Sequence, residues 1–365
     1  MSRVVQLATA YRAAPAPKLA LLGTGVVGSA FVSRYQRLQQ SGHALPAFAW
    51  LSNSRELRHC DGLPARALHE ASSSASGSAD LPPWAETEAL SRGDVLVDAT
   101  ASENVADWHA VWLARGVHVV TANKLGFGAA LSRAGAIADA QLEGGARYGD
   151  SATVGAGLPL LRSLRELVAG GDRIHRVEGV LSGSLAWLFN HYDGMRAFSG
   201  FVRQARELGY TEPDPRLDLS GEDVRRKLLI LARAAGLPLQ AENVRVESLV
   251  PKALAALPAQ EIDPALELLD APLAARFKDA YRNGAKLRFL GRFDQAGASV
   301  GVQALPSDHP LCGGGGADNR VAIYSDRYHQ QPLVIQGPGA GAEVTAAALL
   351  DDVIGICGRQ ANLCP

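Results

Sequence analysis

Residues 18–28 read KLALLGTGVVG, and this stretch decides the fold of the N-terminal part of the chain. The apolar run Lys18–Leu22 predicts a buried strand, and it leads directly into a G-x-G-x-x-G sequence. In that pattern the glycines allow a tight turn, close approach of the backbone to a pyrophosphate, and close helix–strand packing. Residues 29–40 predict the helix whose positive N-terminus would hold the phosphates. The candidate cofactor-binding residues of this loop are Gly23, Thr24, Gly25, Val26, Val27 and Gly28.

The end of the next strand bears on the choice of dinucleotide. The run Ala47–Leu51 predicts a strand, and Ser-Asn-Ser-Arg follows at 52–55. In many NAD enzymes an acidic side chain at this place binds the ribose 2′-hydroxyl. The sequence has none there, whereas Arg55 could bind the 2′-phosphate of NADP. We therefore expect NADP as the cofactor, with NAD as the alternative. Arg55 would in that case be an ordinary solvated loop arginine.

Two further strand ends belong to the same predicted half. The buried run DVLVDAT at 94–100 continues into Ala-Ser, so Thr100 and Ser102 stand at the carboxyl end of a strand, where parallel sheets bind ligands. Both are candidate cofactor contacts. The strand predicted at 117–120 leads into Thr-Ala-Asn-Lys. Its Lys124 either contacts cofactor or substrate or is an ordinary solvated lysine.

The stretch 209–227, GYTEPDPRLDLSGEDVRRK, concentrates charged residues in a pattern that suggests chemistry. Its prolines and glycine predict a rigid loop, followed by a helix with Ser220 as the N-cap and Asp223 at the third helical position. Lys227 falls near the buried edge of that helix, four residues after Asp223, where its proton affinity could be tuned. The alternative is a capping aspartate in an ordinary ion pair with a lysine.

The second half contains two more turns of unusual composition. Residues 151–159, SATVGAGLP, predict the entry to a new domain, and their backbone carbonyls are a candidate cation site as an additional role. A strand predicted at 176–181 leads into Ser-Gly-Ser at 182–184 and a helix over 185–192. The first N–H groups of that helix would bind a carboxylate. An ordinary N-cap serine is the alternative.

Four predicted strands and a helix complete the chain. The strands lie at 286–293, 299–305, 320–324 and 333–336, with a hairpin loop expected at Gly313–Gly316. Gly-Pro-Gly-Ala-Gly at 337–341 then precedes a helix over 343–357. This glycine-rich entry resembles the first, so Gly339 and Gly341 are candidate cofactor contacts. Close packing of small residues is the alternative.

Composition excludes several classes of protein. With 365 residues, 47% hydrophobic and 20% charged, the chain is long enough for two domains of an ordinary globular enzyme. A net charge of −1 without a long basic run argues against a nucleic-acid partner. The sequence has neither an apolar run that could span a membrane nor a recognisable signal peptide. Four cysteines without metal spacing predict reduced thiols in a cytoplasmic protein.

Six sequence motifs, taken together, resemble those of the homoserine dehydrogenase family. They are GTGVVG, VVTANK, VGAGLP, GVLSGSL, GYTEPDPRLDLSGEDVRRK and GPGAGAEVTAA, in this order between Gly23 and about Gly358. The sequence is most similar to the dehydrogenase half of the bifunctional aspartokinase–homoserine dehydrogenases. The resemblance implies reversible NAD(P)-linked reduction of aspartate β-semialdehyde to homoserine, in threonine and methionine synthesis.

The resemblance implies catalytic roles for three charged residues. Lys227 matches the proposed acid/base lysine of the family, Asp223 matches its partner, and Lys124 matches a second active-site lysine. These residue types fit the reaction, because hydride transfer to an aldehyde leaves an alkoxide that a nearby cation must stabilise and protonate.

Substrate and cation contacts are implied in the same way. Glu212 and Asp218 match residues that hold the substrate ammonium group and the catalytic lysine. The pair Gly183 and Ser184 matches substrate contacts and would bind the substrate carboxylate.

A monovalent cation is reported in the family on backbone groups near the positions of Val154 and Ala156. The family usually has a glutamate four residues before the first glycine of VGAGLP. This sequence has Ser151 there, beside Asp150, so it supports the cation site less strongly than the usual family sequence does.

The expected fold class is α/β, with a Rossmann-like nucleotide-binding domain over residues 1–150. A mixed-sheet catalytic and dimerisation domain is expected over 151–325, and a C-terminal segment over 326–365 whose helix returns to the nucleotide domain. We expect a homodimer that acts on homoserine and aspartate semialdehyde. The alternatives are a non-catalytic NADP-binding regulator and another aldehyde reductase of amino-acid synthesis. Aspartate semialdehyde dehydrogenase would need a cysteine nucleophile at a helix entry, where the sequence places none.

Overall fold

The computed structural model describes residues 16–73 and 90–361. Six strands form a first sheet in the order β3-β2-β1-β4-β5-β6, parallel except for the antiparallel edge strand β3. The strands are β1 Lys18–Leu22, β2 Ala47–Ser52, β3 Leu57–His59, β4 Val95–Asp98, β5 His118–Thr121 and β6 Tyr148–Gly149. Since β2 and β4 lie on opposite sides of β1, the strand order reverses beside β1, and a ligand crevice is expected at its carboxyl end.

Helices cover both faces of the first sheet. They are α1 Val26–Gln40, α2 Pro64–Ser73, α3 Glu103–Ala114 and α4 Leu131–Gly144. On one face Leu21 packs in a cluster with Phe31 of α1. On the other face Leu22 packs in a cluster with Trp112 of α3. The Rossmann-like prediction is confirmed, and α1 begins three residues before the predicted start because Gly25 is its N-cap.

The second sheet has the order β12-β11-β7-β9-β10-β8 and is mixed, because β10 and β8 are parallel and the other neighbours antiparallel. Its strands are β7 Ile174–Val180, β8 Val244–Val246, β9 Ala285–Asp294, β10 Gly297–Pro306, β11 Asn319–Ser325 and β12 Leu333–Gly337. The mixed sheet that the sequence predicts is therefore present.

Eight helices accompany the second sheet among the described residues. They are α5 Leu160–Ala169, α6 Gly183–His191, α7 Phe198–Glu207, α8 Arg216–Leu219, α9 Glu222–Ala234, α10 Lys252–Ala255, α11 Ile262–Ala265 and α12 Asp270–Arg282. Short 3₁₀ turns lie at Ser151–Thr153, Ala241–Asn243, Ala259–Glu261, Leu266–Leu269 and Pro310–Cys312. The apolar side of α9, with Val224, Leu228 and Leu231, packs into the large core on one face of this sheet, as its helical spacing predicts.

Two predictions for the second half differ from the structure. The segment Gly313–Gly316 is not a hairpin loop, since β9 and β7 lie between β10 and β11, the strands that it connects. Glycine-rich turns occur in hairpins and in longer connections alike, and local sequence does not specify the partner strand. The strand β12 also belongs to the second sheet, so the chain leaves that sheet after Gly337 and not near residue 326.

The last helix, α13 Ala342–Ala361, returns to the first sheet and packs against α1. Leu349 and Val353 of α13 are fully buried in the cluster that contains Phe31. An exposed ion pair of 2.9 Å joins Arg37 of α1 to Glu343. The predicted return of the C-terminal helix is confirmed. In the parts of the chain that the structure describes, no helix combines the length and apolar character needed to cross a membrane.

Candidate active site

A cavity of about 520 Å³ opens at the carboxyl edge of the first sheet. Its lining includes Gly23, Thr24 and Gly25 after β1, residues 52–55 after β2, and residues 99–102 after β4. A Cβ on Gly28 would lie 1.9 Å from the Gly23 carbonyl oxygen, so the turn requires this glycine. A Cβ on Gly25 would meet nothing within 4 Å, and its backbone faces open space that a pyrophosphate can enter. These residues fit a dinucleotide, although Val26, Val27 and Gly28 do not line the cavity.

Arg55 is exposed and lines the same cavity, where the sequence analysis expects a 2′-phosphate contact. Its backbone N–H donates to Asn53 Oδ1 at 2.8 Å, and Asn53 Nδ2 donates to Thr24 Oγ1 at 3.0 Å. Asn53 therefore ties the end of β2 to the glycine loop. From the sequence alone Asn53 is only a loop residue, because a hydrogen bond across 29 residues has no local signal.

Thr100 and Ser102, the candidate cofactor contacts, line the cavity, and Thr100 is held by a buried network that the sequence does not predict. Asp98 Oδ1 accepts hydrogen bonds from the Thr100 amide and hydroxyl at 2.8 and 2.7 Å. The other carboxylate oxygen of Asp98 lies 2.9 Å from His109 Nε2, and both side chains are fully buried. Ser102 is the N-cap of α3. The sequence does contain one signal for this network. Asp98 lies at the end of a predicted buried strand, and a buried carboxylate needs hydrogen-bond donors around it.

A hydrogen bond links the wall of this cavity to the residue before Lys124. Asn123 Nδ2 donates to the Ser102 carbonyl oxygen at 2.8 Å. The next residue, Lys124, has its Nζ 3.4 Å from Asp223 Oδ1 at the start of α9. Asp223 Oδ2 lies 2.8 Å from Lys227 Nζ, so one carboxylate contacts two lysines. The sequence predicts the pairing of Asp223 with Lys227 but gives no link to Lys124, and the fold brings all three together.

Electrostatics keep the shared carboxylate ionised. Burial alone would raise the pKa of Asp223, but the charges of Lys227 and Lys124 outweigh burial and lower it to about 2. Lys227 is only 8% exposed, and its Nζ also donates to the Leu181 carbonyl oxygen at 2.8 Å. Its ammonium group is thus buried and held by two acceptors, which favours a role beyond that of a surface ion pair.

The start of α9 differs from the prediction. Its N-cap is Gly221, with φ of +80°, and Ser220 instead ends the one-turn helix α8. Glycine adopts this left-handed conformation without steric cost, which explains why the chain turns here. Asp223 is consequently the second helical residue, and its carboxylate pairs with lysines instead of capping the helix. The rigid loop predicted before α9 is also partly helical, at Arg216–Leu219.

The candidate substrate residues lie around the start of α6. Ser182 is its N-cap, Gly183 is its first residue, and Ser184 Oγ donates to Asp218 Oδ1 at 2.7 Å. Asp218 Oδ2 accepts a hydrogen bond from the backbone N–H of Glu212 at 2.9 Å, and the side chain of Glu212 is exposed. The hydrogen bonds of Asp218 therefore link the start of α6 to the segment at Glu212. The catalytic lysine candidate, Lys227, is held instead by Asp223 and the Leu181 carbonyl oxygen.

The turn at 151–159 carries its own polar contacts. Asp150 accepts two hydrogen bonds from Arg165, at 2.6 and 2.7 Å. Ser151 Oγ and its amide donate to Asp352 of α13 at 2.8 and 2.9 Å. Both Val154 and Ala156 are buried, and Ala156 has a φ of +50°, unusual for a residue with a Cβ. Among the described residues no group of three or more His, Cys, Asp or Glu side chains could hold a metal ion.

Neither of the predicted glycines in the C-terminal turn lines the cavity. A Cβ on Gly339 would lie 2.0 Å from Cγ of the buried Asn319, so this glycine allows close packing. Gly341 has a φ of +124° immediately before α13. The packing alternative describes Gly339 in this structure.

The described cysteines are poor nucleophiles. Burial raises the pKa of Cys60 to about 12 and that of Cys357 to about 11, and burial also raises the pKa of Cys312. Cys364 lies outside the described residues. Reactive cysteines need a lowered pKa, which argues against the semialdehyde dehydrogenase alternative.

A Rossmann-like cradle for a dinucleotide, linked through Asn123 to a lysine pair that shares one carboxylate, defines the class: a protein with a nicotinamide-dinucleotide-binding domain and a second, mixed-sheet domain. A family model described as homoserine dehydrogenase matches residues 159–354, and one for the homoserine dehydrogenase NAD-binding domain matches residues 23–148. The chain therefore belongs to the homoserine dehydrogenase family.

Two named relatives agree with the family models. The chain is 37% identical to the homoserine dehydrogenase of Emericella nidulans, over 93% of this chain and 98% of that protein. It is 44% identical to the chloroplastic bifunctional aspartokinase/homoserine dehydrogenase 2 of Zea mays over 71% of this chain, but spans only 29% of that protein. A Candida auris crystal structure of a protein of unknown function has a TM-score of 0.84 and 37% identity, covering 94% of this chain and 98% of that one.

Proposed function

We propose that this protein catalyses the reversible, NAD(P)-linked reduction of L-aspartate 4-semialdehyde to L-homoserine, in threonine and methionine synthesis. The observation that carries the proposal is the carboxylate of Asp223 between Lys227 and Lys124, at 2.8 and 3.4 Å. The lysine cluster supplies positive charge where an alkoxide would form, and Asn123 links it to the wall of the dinucleotide cavity.

Lys227 is the proposed acid and base. When bound, the nicotinamide cofactor donates or accepts the hydride. Lys227 Nζ gives a proton to the alkoxide oxygen during reduction and takes one from the homoserine hydroxyl in the reverse direction, directly or through one water. Asp223 holds the ammonium group in place and, with a pKa of about 2, stays ionised throughout the physiological range. Lys124 adds a second positive charge beside the same carboxylate.

The substrate is held at its zwitterionic end. Backbone N–H groups of Gly183 and Ser184, at the N-terminus of α6, bind its carboxylate. The exposed carboxylate of Glu212 binds its ammonium group. Asp218 keeps these two segments together through its hydrogen bonds to the Ser184 hydroxyl and the Glu212 amide.

NADP is the proposed cofactor, because Arg55 lines the cavity and Asn53 occupies the strand end where an acidic residue would favour NAD. The glycine loop Gly23–Gly28, Thr100 and Ser102 would hold it, with the α1 N-terminus at its phosphates. A monovalent cation on the backbone carbonyls of Val154 and Ala156 is proposed only as a structural ion. The left-handed turn supports it, and no step of the reaction passes through it.

A homodimer is proposed, formed through the face of the second sheet opposite its helices. On that face the half-buried side chains of Leu305, Tyr324 and Val334 pack on a small buried apolar cluster, and a partner would cover them. Light scattering coupled to size exclusion would give twice the chain mass for a dimer, and the mass of a single chain would contradict it. A cytoplasmic location is part of the same proposal, which the unpaired thiols of Cys60 and Cys312 support.

The deciding experiment measures homoserine-dependent reduction of NADP and of NAD, beside the reverse reaction with aspartate semialdehyde and NADPH. L-Serine and L-threonine, which share the zwitterionic end, serve as control substrates. Turnover with homoserine at a much higher kcat/KM than with either control supports the proposal. Binding of NADPH without turnover would favour the non-catalytic regulator, and turnover with other aldehydes alone would favour another aldehyde reductase.

A further inference from the structure

Asn319 is fully buried at the start of β11, and the roles assigned above do not account for it. Its Nδ2 donates to the Leu181 carbonyl oxygen at 3.3 Å. The same oxygen accepts a hydrogen bond from Lys227 Nζ at 2.8 Å. A buried amide and the proposed catalytic lysine therefore converge on one backbone carbonyl.

The strand register explains how this contact arises. Arg320 pairs with Val180 across β11 and β7, and Asn319 pairs with Gly337 across β11 and β12. Asn319 thus lies between the chain segment that follows β7 and the glycine turn that leads to α13. On that turn, Gly339 packs so closely that a Cβ would lie 2.0 Å from Asn319 Cγ. The turn confines the amide on one side, and the amide contacts Leu181 on the other.

The side-chain oxygen of Asn319 argues against a purely structural role for this residue. Its Oδ1 is buried and has no hydrogen-bond partner within residues 16–73 and 90–361. A buried acceptor without a partner lowers stability, and an apolar side chain of similar size would avoid that loss. The presence of an amide here points to a use for its N–H donor.

That use follows from the geometry of the lysine. An ammonium group has three N–H donors, and those of Lys227 have two acceptors, Asp223 Oδ2 and Leu181 O. The third donor remains for the reacting oxygen. Its direction depends on the orientation of the Leu181 carbonyl, which lies just beyond the last residue of β7.

We infer that Asn319 is a positioning residue that fixes the Leu181 carbonyl and thereby directs Lys227 Nζ toward the reacting oxygen. Gly339 contributes to this arrangement, because a side chain at position 339 would occupy the space of the Asn319 amide. The inference rests on the acid/base role proposed for Lys227. It assigns Asn319 no contact with substrate or cofactor.

Two substitutions separate the N–H donor from the shape of the side chain. Asn319→Ala removes both, whereas Asn319→Leu keeps the approximate size and shape and removes the donor. Both variants are expected to lose about 10- to 100-fold in kcat, with KM for homoserine and NADP within about twofold of wild type. Ser325→Ala is the matched control, because Ser325 is a fully buried polar residue at the other end of β11. Wild-type kcat in Asn319→Leu, or an equal loss in Ser325→Ala, would overturn the inference.

A labelling experiment judges the contact without turnover. A short pulse of an amine-acylating reagent, read by peptide mass spectrometry, should label Lys227 faster in Asn319→Ala than in wild type, relative to the exposed Lys278. Equal labelling in both proteins would overturn the inference. If wild type did not oxidise homoserine, the proposed function would fail, and the labelling would still decide whether Asn319 holds Lys227.

The role of Gly339 is tested by a double substitution. Gly339→Ala alone should lower kcat, because the new Cβ displaces the Asn319 amide. In the Asn319→Ala background it should add little, because Cγ is gone and the two effects are then not additive. A raised KM for NADP in both backgrounds would place Gly339 at the cofactor and overturn this part of the inference.

Discussion

The carboxylate of Asp223 lies 3.4 Å from the ammonium nitrogen of Lys124, although Lys124 follows β5 of the first sheet and Asp223 lies in the first turn of α9, beside the second sheet. Neither half of the chain contains the complete charge cluster. The proposed chemistry therefore depends on the packing of the two halves against each other. The hydrogen bond from Asn123 to the Ser102 carbonyl fixes the first half of this arrangement.

Removal of the proposed acid should abolish most turnover. Lys227→Ala is expected to lose roughly 10²- to 10⁴-fold in kcat for homoserine oxidation, because the alkoxide then has no positioned proton donor. Lys278→Ala, which removes an exposed lysine of α12, should keep wild-type rates. Circular dichroism and NADPH binding verify the fold. A nearly unimpaired Lys227→Ala would move the role to Lys124 or to a water.

Neutralising Asp223 should leave two lysines without their shared partner. Asp223→Asn is expected to lower kcat by roughly 10-fold or more, because Lys227 loses its charged hydrogen-bond partner and its orientation. Glu222→Gln is the control, since this neighbouring carboxylate pairs with Arg225 instead. If both variants lost activity equally, the effect would come from the helix terminus and not from the lysine pair.

The two glycines of the loop should respond differently to alanine. Gly28→Ala places a Cβ 1.9 Å from the Gly23 carbonyl oxygen, so we expect a clear loss of thermal stability. Gly25→Ala meets nothing within 4 Å in this structure and should keep a melting temperature close to wild type. It should nevertheless weaken NADPH binding, because the methyl group enters the space proposed for the pyrophosphate. Unchanged NADPH affinity in Gly25→Ala would place the phosphates elsewhere.

Cofactor preference should depend on Arg55. Arg55→Asp is expected to shift the ratio of kcat/KM values toward NAD, because the aspartate repels a 2′-phosphate and can accept a hydrogen bond from a ribose hydroxyl. Arg66→Asp, on the exposed side of α2, is the control for the change in net charge. An unchanged preference in Arg55→Asp would remove this residue from cofactor recognition.

Asp352 should make stability depend on pH. Burial, opposed by the hydrogen bonds from Ser151, raises its pKa from 3.8 to about 6. Between about pH 4 and pH 6 the folded protein therefore binds this proton more tightly than the unfolded chain, so the contribution of Asp352 to stability falls as pH rises. Nearby Asp150 favours the protonated form, and Arg162 opposes it.

Asp352→Asn should remove that dependence. Above pH 6 the variant should equal wild type or exceed it by up to about 3 kcal/mol in free energy of unfolding, since one pKa unit corresponds to about 1.4 kcal/mol. Urea unfolding at pH 4, 5, 6 and 7 measures the difference, with the exposed Asp351→Asn as control. A constant difference across this range would mean that Asp352 does not titrate there.

Local sequence predicts most of the elements and many of the site residues. Strand and helix positions around the glycine loop agree because hydrophobic periodicity and glycine placement act over a few residues. The start of α9 lies one residue later than predicted, since both Ser220 and Gly221 have properties of an N-cap. The Gly313–Gly316 connection was misassigned because β10 and β11 find their partners elsewhere in the sheet.

The sequence by itself determined the dinucleotide loop, the mixed α/β class and the identities of Lys124, Asp223 and Lys227, because each depends on short-range pattern or on motif resemblance. Only the tertiary structure decided that one carboxylate serves both lysines, and that Asn319 reaches the carbonyl that Lys227 also contacts. These contacts join residues about 50 to 140 positions apart or in different sheets. Such proximity is set by sheet order and helix packing, which no local stretch of sequence encodes.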